Sequence, residues 1–219
     1  MITTEFVFLR HGEAACNVAG LVGGPATCTG LTALGHSQVE RAAHRLLAEH
    51  RNHRPFTHLY TGPRLRLRQT GETLSRTLAL PLVIASGLDG PIHGAADGKP
   101  WREVKAAADG GPHAHPDTPW AEGADTWNGF LYRATSFLRE LIERHAGDRI
   151  LFAAHGETVI AAHTLLLDLA PGIQTGFTVS HASLTAWQRH HNRLGQQRWI
   201  LDRHNDTAHL SPSPAPDTP

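Results

Sequence analysis

The hydrophobic positions of this chain alternate between short unbroken runs and longer helical stripes. Residues 5–9 and 149–154 are almost wholly apolar, and 57–60 and 82–84 are shorter runs of the same kind. Runs this short and this continuous predict buried strands. Between them, apolar residues recur at helical spacing. Over 32–50, Leu34, Val39, Ala42, Ala43, Leu46 and Leu47 fall on one face. Pro63 opens a second helix to about residue 77, since proline is favoured in a first turn. Residues 125–145 predict a third helix with Trp127, Phe130, Leu131, Phe137, Leu138 and Leu141 apolar, and 158–169 a fourth. Two more strands are expected at 182–189 and 198–201. Strand and helix taking turns in this way predict an α/β fold with a largely parallel sheet.

Three segments break the pattern. Residues 20–35 are rich in Gly, Thr and Pro and read as a loop. Residues 86–122 carry many Gly, Pro, Asp and His with little periodicity, and predict a long lid or specificity loop. Trp101, Trp120 and Trp127 in or beside it offer an aromatic wall, or simply core and loop anchors. Residues 211–219, with four prolines in nine positions, predict a disordered tail. No shift of composition precedes that tail, so 1–210 is expected to be a single domain.

Composition then removes several classes of function. The 219 residues carry 20 basic and 20 acidic side chains, which gives no electrostatic case for nucleic acid or an anionic membrane as partner. No apolar stretch is long enough to span a bilayer, and no leader is expected ahead of a strand that starts at residue 5. Cys16 and Cys28 are the only cysteines, too few for a disulfide framework, so free thiols and a cytoplasmic location are expected.

The chemistry lies where strands end. The first strand runs into Arg10-His11-Gly12 and the strand at 149–154 into His155-Gly156. In open α/β sheets the carboxyl ends of the strands form the ligand crevice. A cation, an imidazole and an unhindered backbone at one point suit a dianionic phosphate.

Five blocks recur in a known order. They are Leu9-Arg10-His11-Gly12-Glu13 with Asn17; Leu31-Thr32-Ala33-Leu34-Gly35-His36-Ser37-Gln38; Pro63-Arg64-Leu65-Arg66-Leu67-Arg68-Gln69-Thr70; Ala154-His155-Gly156-Glu157; and, more weakly, residues 205–210. In these the chain resembles the phosphatase branch of the histidine phosphatase (phosphoglycerate-mutase-like) superfamily, over nearly everything but the tail. The resemblance implies a three-layer α/β/α sandwich. It implies that His11 attacks phosphorus to form a phosphohistidine, which water then hydrolyses. Arg10 and Arg66 would hold the phosphate oxygens, Asn17 would add a neutral donor, and His155 would stabilise the transferring phosphoryl group. No metal and no cofactor are implied. The implied partner is a small phosphorylated metabolite, with a homodimer left open.

Alternatives stand beside these roles. Arg64 and Arg68 are expected on the solvated surface, because Arg-x-x-Gln-Thr selects Arg66. Asn17 could equally cap the following helix. Glu13 and Glu157 could only orient their neighbours, and His113 and His115 could bind a metal or stand exposed. The family's proton donor is a Glu in a Leu-x-Glu segment, where this chain has Leu88-Asp89-Gly90. Asp89, one residue early, is the expected general acid, followed by Asp97 and then Glu103; Asp89 could also be a turn residue. Three other activities are weighed: a phosphoglycerate-type mutase, a phosphate-binding member that has lost its acid, and a metal hydrolase using the triplets 11–13 and 155–157.

Overall fold

The computed structural model describes residues 1–52, 54–170 and 176–211. Six strands form one sheet: β1 (Ile2–Arg10), β2 (His58–Thr61), β3 (Leu82–Ile84), β4 (Arg149–Ala154), β5 (Leu184–His191) and β6 (Gln197–Asp206). Their order is β3-β2-β4-β1-β5-β6. The first four run parallel, while β5 is antiparallel to both of its neighbours. The expected largely parallel α/β sheet is present, with an antiparallel hairpin added at one edge.

The two-residue period of a strand divides the core into two faces. Phe6, Phe8, Phe152 and Ile150 point to one side and pack on helices α5 (Trp127–Arg144) and α6 (Gly156–Leu166). Val7, Leu9, Leu151 and Ala153 point to the other and pack on α2 (Ala33–Asn52) and α3 (Leu65–Leu78). Three α/β/α layers result. On the first face the rings of Phe8 and Phe152 stack with centroids 4.7 Å apart, and Phe6 meets Phe152 edge-on at 5.1 Å. Leu34, assigned to the apolar face of α2, is instead 55% exposed; it sits in the first turn, where the helix has not yet reached the sheet.

Segment 86–122 differs from the single irregular loop expected. It holds two short 3-10 turns, Ser86–Leu88 and Gly94–Ala96, and helix α4 (Trp101–Ala107). A separate small core explains the order: Val22, Ala96, Val104 and Trp120 bury one another. Backbone bonds between Val22 and Lys99 and between Gly98 and Val22 fasten it to the loop after β1. Asp97 accepts from the amides of Gly24 (2.8 Å) and Ala26 (3.1 Å) and from the Thr27 hydroxyl, closing the same seam. β6 is longer than expected because its inward residues, among them Arg203 and Asp206, are half-buried polar side chains that blur the apolar pattern. Of the predicted tail, 212–219 lies outside the described residues. Among the described residues no helix is long and apolar enough to cross a membrane.

The stacked phenylalanines make a direct test. Phe152→Ala is expected to lower unfolding stability by about 3–5 kcal/mol, the usual loss for a buried aromatic ring. Denaturant titration measures it; a loss under about 1 kcal/mol would show that the two aromatic layers do not carry the core.

Candidate active site

Sheet register brings the two histidines together. β1 and β4 pair in parallel with Arg10 opposite Ala154, so His11 and His155 leave the sheet side by side. The His11 amide continues the ladder, donating to the Ala154 carbonyl at 2.9 Å. The two rings stand 5.4 Å apart, nearly perpendicular at 82°. Gly12 is needed for the next step of the chain. A Cβ there would lie 2.2 Å from the Gly35 carbonyl oxygen, so only glycine lets the loop press against the start of α2.

His11 is held in a defined orientation. Its Nδ1 lies 2.7 Å from the Gly12 carbonyl and must donate to it, which makes Nε2 the acceptor nitrogen. Arg66 Nε points at that nitrogen from 3.3 Å, and Arg66 Nη2 stands 3.5 Å from His155 Nδ1. The Arg66 guanidinium therefore bridges both imidazoles, and it also donates to the Gly23 carbonyl (2.9 Å) and the Cys28 thiol (3.2 Å). Arg10 donates to the Val179 carbonyl and to His181 Nε2, the latter at 3.0 Å. Asn17 lies inside α1 (Ala15–Val18) rather than ahead of a helix; its Oδ1 accepts from the Ala14 amide at 3.2 Å, and the residue lines the cavity.

That cavity has a volume of about 50 Å³ and lies between Arg10, His11, Arg66, Asn17 and His155. Its lining is almost entirely polar, and the imidazoles in it are neutral. Burial, followed by the charge of Arg66, holds His11 and His155 well below the ordinary histidine value. Burial and the Arg64 charge lower His93 to about 4, and burial and Arg10 lower His181 to about 4. Positive charge at the site is thus carried by guanidiniums, while His11 keeps its nucleophilic lone pair.

Arg64 corrects the sequence reading. It is only 3% exposed, not solvated. It precedes α3 in extended conformation (φ −63°, ψ 143°), so helical spacing does not apply to it and it turns inward. Its Nε pairs with Asp89 at 2.8 Å, and its other nitrogens reach the Pro91 carbonyl, the Gly23 carbonyl (3.1 Å) and His93 Nε2 (3.4 Å). Arg68 is exposed, as expected.

The proposed acids lie as follows. The Asp89 carboxylate pairs with Arg64, accepts from the Gly90 amide at 2.9 Å and comes within 3.6 Å of His155 Nε2. It lines a neighbouring surface groove rather than the cavity. Asp97 is occupied by the 24–27 loop, and Glu103 is exposed on α4. Gly90 faces the site: a Cβ there would stand 3.1 Å from the His155 ring and 3.3 Å from Arg64 Nη1. Of the tryptophans, Trp101 lines the cavity, while Trp120 and Trp127 are buried in separate cores. Sequence reasoning missed His93 and His181, which belong to no motif, and Cys16 and Cys28, which read only as spare thiols.

Residues 6–207 match the histidine phosphatase superfamily (branch 1). The chain belongs to that superfamily. A metal-independent phosphoserine phosphatase of Arabidopsis thaliana is 26% identical over 95% of this chain and 84% of its own length. Among solved structures, a mycobacterial glucosyl-3-phosphoglycerate phosphatase has a TM-score of 0.77 at 22% identity, covering 92% of this chain and 98% of its own. The phosphoserine phosphatase of Entamoeba histolytica with 3-phosphoglyceric acid has a TM-score of 0.76 at 20% identity, covering 95% and 100%. These two likenesses establish the superfamily's fold.

The triplets 11–13 and 155–157 do not gather into a metal-ligand set. Glu13 instead accepts from the Thr32 hydroxyl at 2.8 Å. Among the described residues the one group with ligand spacing is His58, His145 and Asp148, at the opposite end of the sheet. There His145 joins Tyr60 (2.8 Å) to Asp148 (3.0 Å), so the cluster satisfies itself.

Neutral buried histidines make stability depend on pH. Their folded-state values are depressed, so full stability is present above the ordinary value of 6.5 and is lost as pH falls toward about 4. His93 and His163, a buried residue of α6, each take up one proton on unfolding in that window, and His11 and His155 act in the same direction, at about 1.4 kcal/mol per pH unit per proton. Thermal melts at pH 7 and pH 5 are expected to show a clear drop in Tm; equal melting temperatures would mean that these rings are protonated in the fold.

Proposed function

We propose that the protein is a metal-independent phosphomonoesterase acting on a small phosphorylated metabolite through a phosphohistidine on His11. The observation that carries this reading is His11 Nε2, the acceptor nitrogen left by the Nδ1 bond to Gly12, which meets Arg66 and stands beside His155 in a cationic cavity. In the first half-reaction a bond forms from Nε2 to phosphorus and the bond to the ester oxygen breaks. Water then attacks phosphorus, releases phosphate and returns His11.

Arg66 and Arg10 supply the charge for the phosphoryl oxygens. Arg66 would trade its contacts to the two imidazoles for oxygens of the incoming dianion, with the planar geometry that lysine lacks. His155, with an unpartnered buried Nε2, stabilises the group in flight. Asn17 adds an amide donor at the rim. These groups supply the charge that a metal ion supplies in other phosphatases.

A cavity of about 50 Å³ takes a phosphoryl group and little more, so the organic part extends toward Leu21, Pro91 and Trp101. That favours a compact organic monophosphate. A relative 26% identical over 95% of this chain is named for phosphoserine, which supports small phosphorylated carboxylic acids as the first candidates to try. A second reading, a phosphate-binding member without turnover, is favoured by Gly90 and by the pairing of Asp89 with Arg64.

A phosphate-release assay over a panel of phosphorylated metabolites separates the two. Turnover is expected without added metal, in the presence of chelator and without 2,3-bisphosphoglycerate. His11→Ala is expected to reduce it on the order of 10³-fold or more. Phosphate binding by the wild type with no release from any ester would establish the binding reading instead.

A further inference from the structure

We propose that Glu157 is a specificity-determining residue: its carboxylate takes an ammonium group on the organic part of the substrate, so that phosphorylated amino compounds are preferred over phosphorylated hydroxy acids. This rests on the phosphatase reading above. The cavity lining holds three guanidiniums, those of Arg10, Arg64 and Arg66, and a single acidic side chain, Glu157.

The chain sets Glu157 there. It follows His155-Gly156 at the end of β4 and stands in the first turn of α6, where the helix dipole favours a negative charge. The turn that brings His155 into the cavity therefore brings a carboxylate as well, two residues on. Glu157 is half-buried.

That carboxylate has no hydrogen bond and no ion pair among the described residues. The guanidiniums of the lining are committed elsewhere. Arg10 goes to the Val179 carbonyl and His181, Arg64 to Asp89 and to the carbonyls of Gly23 and Pro91, and Arg66 to Gly23, Cys28 and both site imidazoles. Lys105 holds its ammonium over the Trp101 ring, 5.9 Å from the centre, and does not pair with Glu157. Yet the charge of Glu157 acts on Arg10, Arg64 and His93, which reach the cavity from three different segments. A counter-ion for Arg10 would pair with it directly, as Asp89 pairs with Arg64 at 2.8 Å. Glu157 stands near all three residues and is bonded to none.

An anion so placed discriminates among esters. The phosphate is drawn to Arg10 and Arg66, and whatever lies beyond it meets Glu157. A second anionic group reaching that point is repelled. A hydroxyl gains one ordinary hydrogen bond. An ammonium gains a bond charged on both sides, the stronger kind. The rest of the wall toward which the organic part extends, Leu21, Pro91 and Trp101, carries no charge, and an indole face accepts a cation.

Phosphoserine and 3-phosphoglycerate provide the test, because they differ only by an ammonium in place of a hydroxyl. In the wild type kcat/KM is expected to favour phosphoserine by about 10-fold or more, the worth of one hydrogen bond to a charged group. Glu157→Gln is expected to lower that ratio about 10-fold, chiefly through the KM for phosphoserine, and Glu157→Lys to reverse the preference. Both esters are run on one preparation, so a loss of folded enzyme cancels in the ratio. No preference in the wild type, an unchanged ratio in Glu157→Gln, or a fall in kcat that is equal on both esters, as loss of a proton donor would give, would overturn the assignment. Absence of phosphate release from both esters by the wild type would instead overturn the phosphatase reading. Calorimetric Kd values for the same two esters, wild type against Glu157→Gln, then decide the role of Glu157 by the same ratio.

Discussion

Positive charge gathered at one end of the sheet, with few anions beside it, governs this structure. The polar partners of Arg10 and Arg66 are carbonyl groups, a thiol and imidazoles, all of them uncharged in the empty site. A buried ion that lacks its counter-charge is disfavoured by several kcal/mol. The fold tolerates that because strong strand pairing and two aromatic and aliphatic core layers hold the loops in place. A phosphate dianion on arrival would relieve the imbalance. Arg64 is the contrast: already neutralised by Asp89, it polarises a neighbour instead of waiting for substrate.

The same charge sets the protonation of everything around it. Three guanidiniums at one end of the sheet leave no room for an imidazolium, and His11 and His155 remain neutral for that reason as well as through burial. Cys28 feels it too: burial raises the thiol, but the hydrogen bond and charge of Arg66 outweigh that and bring it down. One residue of α3 thus orients the nucleophile, faces the second histidine and tunes a thiol.

What could be read in the sequence follows from how local each signal was. His11 and His155 were legible because each directly ends an apolar run, and strand ends in a parallel sheet share one edge. Arg66 was legible from its spacing to Gln69 and Thr70. Arg64 was not, because periodicity assigns a residue to a face only inside a helix, and Arg64 stands in extended conformation just ahead of one. His93 carried no signal at all; it reaches the cavity wall beside Arg64, a residue distant in sequence. The small helix at Trp101–Ala107 was hidden among glycines and prolines, and it is held by packing of its Val104 on Val22, Ala96 and Trp120, which are remote from it in the pattern.

The pairing of Arg10 with Ala154 also divides the chain into parts that evolve under different rules. A residue inserted in β1 or β4 would turn every inward side chain outward and carry one histidine past the other. Those strands can change by substitution but not by length. Segment 94–122, beyond the part that lines the cavity, has its own small core and meets the rest of the fold along the Val22 seam and at the start of α5, so it can lengthen, shorten or be replaced more freely. New substrates can therefore be acquired by insertion and deletion in that segment, while the histidine pair passes unchanged from one specificity to the next.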